Sequence, residues 1–365
     1  MSLLHEIALA QTPGIGAVTA RALLSHFGNS AEAIFSAKKP QLTAIQGIGP
    51  KTADSILKQE GFKRAEKEMA FIERYKIKAL SYSSAEYPAR LRNCYDAPLL
   101  LYFKGNAELN AKRIISVVGT RNATQYGKEL TQQLIADLKK DDVLVVSGLA
   151  HGIDGIAHKA CLKNDVPTIG VVGHGLDRIY PAQHRAIAEK MISNGGILTE
   201  FMSETNPDRE NFPKRNRIVA GMADATVIVE ASVTGGALIT AELANSYNRD
   251  VFAFPGNVNH EFSAGCNYLI KTNRAHLIAN AKDLEYFLGW TVDKPKESIR
   301  QISLNLNLTP DEKKVIDILN AKGTINYDEL ALAINMQQSK LAVTILGLEM
   351  QGVIIALPGK SYKLG

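Results

Sequence analysis

The feature that most constrains the fold is the alternation of short β-branched runs with amphipathic helices between residues 113 and 280. Each run is brief and almost wholly apolar, which is typical of strands in a parallel sheet that is buried on both faces. Right-handed crossovers between such strands predict a doubly wound α/β domain, extended and Rossmann-like, which we place at residues 110–290. The seven runs are Ile114–Val118, Val143–Val146, Thr168–Val172, Gly196–Thr199, Ala225–Val229, Val251–Phe254 and His276–Ile278.

The flanking segments differ from this domain in their residue patterns. A chain of 365 residues is long enough for two or three domains. Residues 1–75 are helical in pattern with short glycine turns, and residues 76–109 are expected to connect them to the sheet. A polar linker is predicted at residues 291–307. The pattern of residues 308–365, three helices and a terminal hairpin, predicts a winged helix.

Composition excludes several classes of protein. Apolar residues make up 45% and charged residues 22%, so the chain is not disordered, and no apolar run approaches the ~18 residues of a membrane span. The first residues lack the basic start and cleavage site of a signal peptide. Three distant cysteines exclude a disulfide framework and a cysteine-rich zinc site. We therefore expect a cytoplasmic protein.

Two similar glycine turns in the first third are candidate phosphate contacts. Thr12–Ala20 and Gln46–Ala53 each contain a Gly-Ile-Gly turn that runs into a helix, and this third holds the whole charge excess. Backbone N–H groups at a helix start bind phosphate without reading a base. The turns resemble helix–hairpin–helix motifs, in which Gly47, Gly49 and Lys51 of the second copy would contact DNA backbone. A helical adaptor whose glycines only make tight turns is the alternative.

Glycine-rich loops follow nearly every predicted strand, at the sheet edge where ligands bind in such folds. None of them matches the GxGxxG fingerprint or the GxxxxGK[ST] phosphate loop. We therefore expect no nucleotide cofactor.

Catalytic candidates are present but form no complete set. His151, Asp154 and His158 have metal-ligand character without a fourth ligand, and Ser147 has no assignable base. Glu200 and Glu230, at two strand ends, are a potential carboxylate pair. We expect no metal and no enzymatic activity.

The segment Asn211–Met222 is the strongest candidate for an anion-binding site, because it groups Lys214, Arg215 and Arg217 near a helix start. Pro213 suits the first helical position, so the cations would join free N–H groups in an anion site. Phe212 beside them offers a face on which a base can stack. A helix start tied by salt bridges to Asp208 and Glu210 is the alternative.

As an ordered ensemble, the motifs between about 110 and 280 resemble the DNA-processing protein A (DprA/Smf) family. The motifs are Val118–Arg121 with Tyr126-Gly127, Ser147–Asp154 with Ala157-His158, Tyr180-Pro181, Gly196–Glu200, Phe212–Arg217, Val229–Ala231, Gly236–Ala241 and Phe254–Gly256.

The resemblance implies a non-enzymatic protein that binds single-stranded DNA in a basic pocket, forms a homodimer through the α/β domain, and helps load RecA recombinase during natural transformation. Two departures are His151, where the family often has Arg or Tyr, and Gly235, where it often has Ser. The implied DNA-binding residues are Arg121, Ser147, Gly148, Phe212, Lys214, Arg215, Asn216 and Arg217.

Two further expectations concern association. Ile218, Val219 and Met222, together with the apolar helix Ala237–Ala244, would supply an exposed stripe for the dimer. The C-terminal recognition helix has Lys340 as its one cation, which favours protein contact over DNA. The functional alternative is a Rossmann-like enzyme or sensor that acts on a nucleotide-derived small molecule.

Overall fold

The computed structural model of the chain describes residues 3–139, 142–290 and 308–365, so the predicted linker lies outside the described residues. Internal contacts divide the chain into two compact units, Met1–Leu277 and Ile278–Gly365.

The first unit is built on a nine-stranded sheet with the order β1-β2-β6-β5-β4-β3-β7-β8-β9. All seven strands predicted from the apolar runs are present and pair in parallel with their neighbours. The chain reverses its direction of travel between β3 and β7, the topological switch point at which open α/β sheets bind ligands. The strands are β1 (Lys78–Ser81), β2 (Leu100–Gly105), β3 (Arg113–Val118), β4 (Val143–Ser147), β5 (Thr168–Val171), β6 (Gly195–Thr199), β7 (Ala225–Ile228), β8 (Asp250–Ala253) and β9 (His276–Leu277).

Seven helices of this unit follow or connect the strands. They are α7 (Ala89–Arg92), α8 (Gln125–Leu138), α9 (Ile153–Lys163), α10 (Arg185–Met191), α11 (Asn211–Gly221), α12 (Gly236–Ser246) and α13 (Glu261–Lys271). Two packed layers result, because α9 contacts α8 and α10 whereas α11 contacts α12 and α7. On one face of β3, Ile114 and Val118 belong to the apolar cluster that includes Ile218 of α11 and Met222, which follows this helix.

Residues 76–109, expected as a connector, contribute two strands to the sheet. β1 pairs antiparallel with β2, and β2 pairs antiparallel with β6, so the parallel core gains an antiparallel edge. Close approach at this junction requires glycine, since a Cβ on Gly196 would lie 2.8 Å from the Lys104 carbonyl oxygen.

The N-terminal helices pack onto this edge of the sheet. Their apolar core includes Leu100 and Tyr102 of β2 as well as Met202, which follows β6. A polar contact adds to it: Glu68 of the sixth helix is buried and accepts hydrogen bonds from the Ser203 backbone N–H and hydroxyl. The helices are α1 (Leu3–Ala10), α2 (Ala17–His26), α3 (Ala31–Ser36), α4 (Lys39–Thr43), α5 (Pro50–Lys58) and α6 (Phe62–Tyr75).

In the described residues of the second unit, 278–290 and 308–365, there are four helices and a small antiparallel sheet of order β10-β12-β11. Thr309 caps the helix that begins at Pro310, in a reciprocal capping box with Glu312, as its sequence predicts. The sheet has one strand more than the expected hairpin. The elements are α14 (Ala281–Phe287), α15 (Pro310–Lys322), β10 (Thr324–Asn326), α16 (Tyr327–Ile334), α17 (Gln338–Met350), β11 (Ile354–Leu357) and β12 (Ser361–Leu364).

Candidate functional site

A pocket opens at the carboxyl ends of β3, β4 and β5, in the first unit. It brings together four of the residues that the sequence singled out, Arg121, Gly148, Phe212 and Arg215. Four loops converge because parallel strands end at the same edge of the sheet. The remaining lining residues are Ala150, His151, Gly173, His174, Tyr180 and Pro181.

The rim of this pocket combines a cation with aromatic faces. The exposed Arg121 guanidinium lies 5.4 Å from the centre of the Phe212 ring, within the range of a cation–π contact. The half-exposed Tyr180 ring lies 6.1 Å from the Phe212 ring at an interplanar angle of 35°. Together they form a charged and aromatic surface that faces solvent.

Arg215 lies beneath that rim rather than on it. It is 5% exposed, and its Nη1 donates to the Val171 carbonyl at 2.9 Å. Asp154 is close by and buried as well, and burial raises the pKa of its carboxyl although the Arg215 charge opposes the rise. Burial likewise lowers the Arg215 pKa. In the pocket floor, the charge of each group therefore favours the ionised form of the other.

Helix α11 begins earlier than the sequence suggested. Pro213 is its third residue, not its first, so the cations lie beyond the first turn and away from the free N–H groups. The helix also separates them by face. Phe212 and Arg215, three residues apart, line the pocket, whereas Lys214 and Arg217 lie on a neighbouring face.

Arg217 is occupied by contacts within the protein. Its Nη2 forms an ion pair with Glu200, and its Nη1 donates to the Asp96 carbonyl. Burial raises the pKa of the Glu200 carboxyl, and the Arg217 charge acts against that rise. Lys214 is exposed and forms no ion pair with the described residues. Lys214 and Arg121 are therefore the cations of the predicted set that remain accessible.

Two more predicted residues support the pocket from within. Ser147 is fully buried, and its hydroxyl donates to the Val117 carbonyl at 2.6 Å, so it is not presented to a ligand. Gly148 gives Arg215 its space, since a Cβ there would overlap the Nη1 atom. Asn216 is half-buried on α11.

The catalytic and metal candidates are dispersed. His158 is buried with Nδ1 2.8 Å from the Thr168 hydroxyl, and burial lowers its pKa to about 3. Within residues 3–139, 142–290 and 308–365, no group of three potential ligands surrounds a metal position. The suggested pair of Glu200 and Glu230 was wrong, because β6 and β7 are not neighbours in the sheet.

The exposed stripe expected for a dimer is also absent in its predicted form. Ile218, Val219 and Met222 are at most 1% exposed and belong to the core. On α12, Ala237, Ala241 and Ala244 are buried as well, whereas Ile239 is 45% exposed. These residues are buried because α11 and α12 pack on each other, a contact that periodicity alone does not show.

The N-terminal glycine turns are two copies of one geometry. Gly14 and Gly47 have φ of 81° and 88°, and Gly16 and Gly49 are the N-caps of α2 and α5. A Cβ on Gly47 or Gly49 would meet nothing within 4 Å, so the second turn faces open space, with Lys51 exposed beside it. The first copy has exposed Val18 at the equivalent helix position.

None of the helices within the described residues is long and apolar enough to span a membrane.

Comparison with known proteins agrees with this architecture. Residues 78–289 match the family model of DNA recombination-mediator protein A, and residues 6–59 match a SAM-like helix–hairpin–helix tandem. Protein Smf of Synechocystis is 36% identical over 292 residues, which cover 78% of this chain and 72% of the relative.

Two solved structures are similar as well. DNA processing protein A from Streptococcus pneumoniae aligns with a TM-score of 0.67 and 31% identity, covering 77% of this chain and 96% of that one. DNA processing protein A from Helicobacter pylori, described for its single-stranded DNA binding mode, aligns with a TM-score of 0.52 and 30% identity, covering 57% and 94%. The chain therefore belongs to the DNA recombination-mediator protein A (DprA/Smf) family.

Proposed function

We propose that this protein is a recombination mediator that binds single-stranded DNA in the pocket at the ends of β3, β4 and β5. The observation that carries the proposal is the placement of the Arg121 guanidinium 5.4 Å from the Phe212 ring centre, with Lys214 exposed nearby on α11. Single-strand sites combine cations that follow the backbone with aromatic faces on which bases stack. The Helicobacter relative, which is described for its single-stranded DNA binding mode, supports the same ligand.

Different residues make the phosphate contacts and the base contacts in this proposal. Arg121 and Lys214 neutralise phosphates because they are exposed and free of ion pairs with the described residues. Phe212 and Tyr180 present ring faces to a base. Arg215 acts mainly as a positioning residue, since it is buried and holds α11 against β5 through the Val171 carbonyl. The loop at Ser147 and Gly148 shapes the floor, and Asn216, half-buried on α11, is the last of the proposed DNA-binding residues.

The cellular role we propose follows from that ligand and from the family. The protein binds incoming single strands in the cytoplasm, helps load RecA onto them during natural transformation, and works as a homodimer through its α/β domain. No catalytic step is assigned to it. The exposed Ile239 and Val233, on and just before α12, are the apolar positions we assign to the dimer contact.

The flanking modules take secondary roles in this proposal. Gly47, Gly49 and Lys51 of the second N-terminal hairpin contact DNA backbone, because that turn faces open space. Residues 308–365 form a winged-helix domain whose α17 contacts protein. On this helix Lys340, the single cation, already pairs with Asp311 at 2.5 Å, whereas Val343 and Leu346 are exposed.

A filter assay with labelled oligo-dT, beside a thermal-shift panel of nucleotides, separates this proposal from an enzyme or sensor for small molecules. The full chain should retain oligo-dT, and the Arg121→Ala/Lys214→Ala variant should lose most of that retention. Lys190→Ala, an exposed cation on α10 outside the pocket, is the matched control and should bind like wild type. Stabilisation by nucleotides without oligo-dT retention would contradict the proposal.

A further inference from the structure

A second, larger pocket lies at the switch point between β3 and β7, whereas the proposed DNA site lies at the ends of β3, β4 and β5. Its volume is about 500 Å³, and its walls come from the segments that follow β3, β7 and β8. This is the place at which open α/β sheets bind ligands, and the volume falls within the range of small-molecule sites. The residues that line this switch-point pocket are Thr124, Tyr126, Glu230, Pro255, Gly256, Asn257, His260 and Ser263.

The walls of the switch-point pocket are held in place by internal hydrogen bonds. The Tyr126 hydroxyl donates to the Pro255 carbonyl at 2.8 Å, which fixes its 46% exposed ring as one wall. Asn267 clamps the backbone of Gly256 from both sides, accepting from its N–H at 3.2 Å and donating to its carbonyl at 3.0 Å. A pocket with fixed walls does not have to be ordered by its ligand.

Several polar groups of the pocket have no partner within the described part of the chain. Ser263 is 6% exposed, yet its hydroxyl has none. The Asn257 carboxamide accepts from the Asn259 N–H through Oδ1, which leaves its NH₂ group unused. The His260 imidazole is exposed and without a hydrogen bond to the described residues. These three groups are accessible from the pocket and are available to donate to or accept from a hydrogen-bonding ligand.

Charge narrows the class of that ligand. Among the described residues, neither Lys nor Arg lines the pocket, and Glu230 is the one carboxylate that does. Glu230 is 2% exposed and accepts hydrogen bonds from the Thr124 N–H at 2.9 Å and from its hydroxyl at 2.5 Å. A phosphate would meet an uncompensated anion here. An aromatic wall, a hydroxyl, an amide and an imidazole instead suit a planar, uncharged heterocycle that carries hydroxyl groups.

We propose that the switch-point pocket binds a nucleoside moiety, with the base against Tyr126 and the sugar near Ser263 and Asn257. The site is distinct from the proposed DNA pocket but shares the β3–α8 loop with it, since that loop carries Arg121 as well as Thr124. The nucleoside moiety can be a free ligand from solution or part of the DNA strand that is bound in the neighbouring pocket. Only the second source rests on the proposed function.

Titration of the full chain with thymidine and with deoxyguanosine, followed by saturation-transfer NMR, tests the site. At least one nucleoside should bind, and Tyr126→Ala should weaken it roughly tenfold, as loss of a stacking face does. Tyr268→Ala, an exposed tyrosine on α13 outside the pocket, is the control. Ser263→Ala removes the unpartnered hydroxyl with little risk to the fold and should weaken binding severalfold. Binding of the 5′-monophosphate more than tenfold tighter than the nucleoside would overturn the assignment.

Addition of saturating oligo-dT shows whether the nucleoside moiety belongs to the bound DNA strand or is a free ligand. If the moiety belongs to the strand, oligo-dT displaces the nucleoside, and Tyr126→Ala weakens oligo-dT binding without changing its salt dependence. If it is a free ligand, the nucleoside remains bound beside the strand. Absence of nucleoside binding at millimolar concentration, together with wild-type oligo-dT affinity of Tyr126→Ala, would refute the proposal. That result would leave the DNA site itself untouched, because its own test uses Arg121 and Lys214.

Discussion

The guanidinium of Arg215 occupies the space that a side chain on Gly148 would fill. A Cβ at position 148 would overlap Nη1 and would lie 2.6 Å from Asp154 Oδ2. The glycine after β4 is therefore required by the buried arginine and not by its own backbone conformation, since its φ is not positive. The pocket floor depends on this contact.

Gly148→Ala should expel Arg215 from its position and leave Asp154 buried without its counter-charge. Loss of the Arg215 hydrogen bond to the Val171 carbonyl and of its attraction for Asp154 leaves buried polar groups uncompensated, which costs about 1–3 kcal/mol, so the free energy of unfolding should fall by at least about 1 kcal/mol. Urea denaturation measures it. Gly236→Ala is the control, because a Cβ there meets nothing within 4 Å at the start of α12. Equal stability of the two variants would show that Arg215 finds another position at little cost.

Substitutions of Arg217 and Lys214 should change different measurements: the first should lower stability, and the second should weaken the salt dependence of oligo-dT binding. Arg217→Ala leaves Glu200 buried without its partner and should cost about 3 kcal/mol of stability, while the salt dependence of oligo-dT binding stays as in wild type. Glu200→Gln in the same chain should recover part of the loss, because the buried charge is then gone. Lys214→Ala should do the opposite, with unchanged stability and a weaker salt dependence. A flattened salt slope in Arg217→Ala would place this residue on the DNA.

The buried His158 should make the protein less stable in acid. Its pKa is about 3 in the folded state against 6.5 for an unperturbed histidine, so only the unfolded chain takes up the proton between those values. The contribution is fully present above pH 6.5 and is lost as the pH falls toward 3. At pH 5 the loss is about 2 kcal/mol relative to pH 7.5.

His158→Gln tests this origin. Its stability at pH 7.5 should be lower than that of wild type, but its further loss between pH 7.5 and 5.0 should be smaller by about 2 kcal/mol. Burial also lowers the pKa values of His174 and His184, and their effect is common to both proteins. The comparison of urea midpoints at the two pH values therefore isolates residue 158. An equal pH dependence would refute the assignment.

The parallel strands could be predicted because burial on both faces leaves an almost purely apolar run for each of them. The strands β1 and β2 could not, because β2 pairs with β6, for example Tyr102 with Thr199, and no local pattern encodes a partner so distant in the chain. The same limit applies to the site. The sequence groups Lys214, Arg215 and Arg217, but the turn of 100° per residue sends them to different neighbours. Which cation remains accessible depends on Asp154, at the start of α9, and on Glu200, just after β6, both of which are distant in the chain.

Phe212 should contribute to DNA binding in a manner that salt does not modulate. Removal of a stacking face costs about 1–3 kcal/mol per base, so Phe212→Ala should weaken oligo-dT binding about fivefold or more. The slope of log K against log salt should remain that of wild type, because no phosphate contact is lost. Arg121→Ala, by contrast, should lower the magnitude of that slope by about 0.7.

Phe212→Ala removes a contact of Arg121 as well as a stacking face, because the Arg121 guanidinium lies over the Phe212 ring. A further variant is needed to separate the two effects. Phe212→Leu is the matched control: it keeps an apolar side chain beneath the guanidinium and removes the aromatic face. If stacking is the function of Phe212, the leucine variant should bind oligo-dT as weakly as the alanine variant, with the slope again unchanged. If the ring serves only to position Arg121, leucine should restore affinity, and the slope of Phe212→Ala should fall by the same 0.7 as that of Arg121→Ala. Measurements of oligo-dT affinity across a salt series for all three variants decide between a base contact and a support for the phosphate contact.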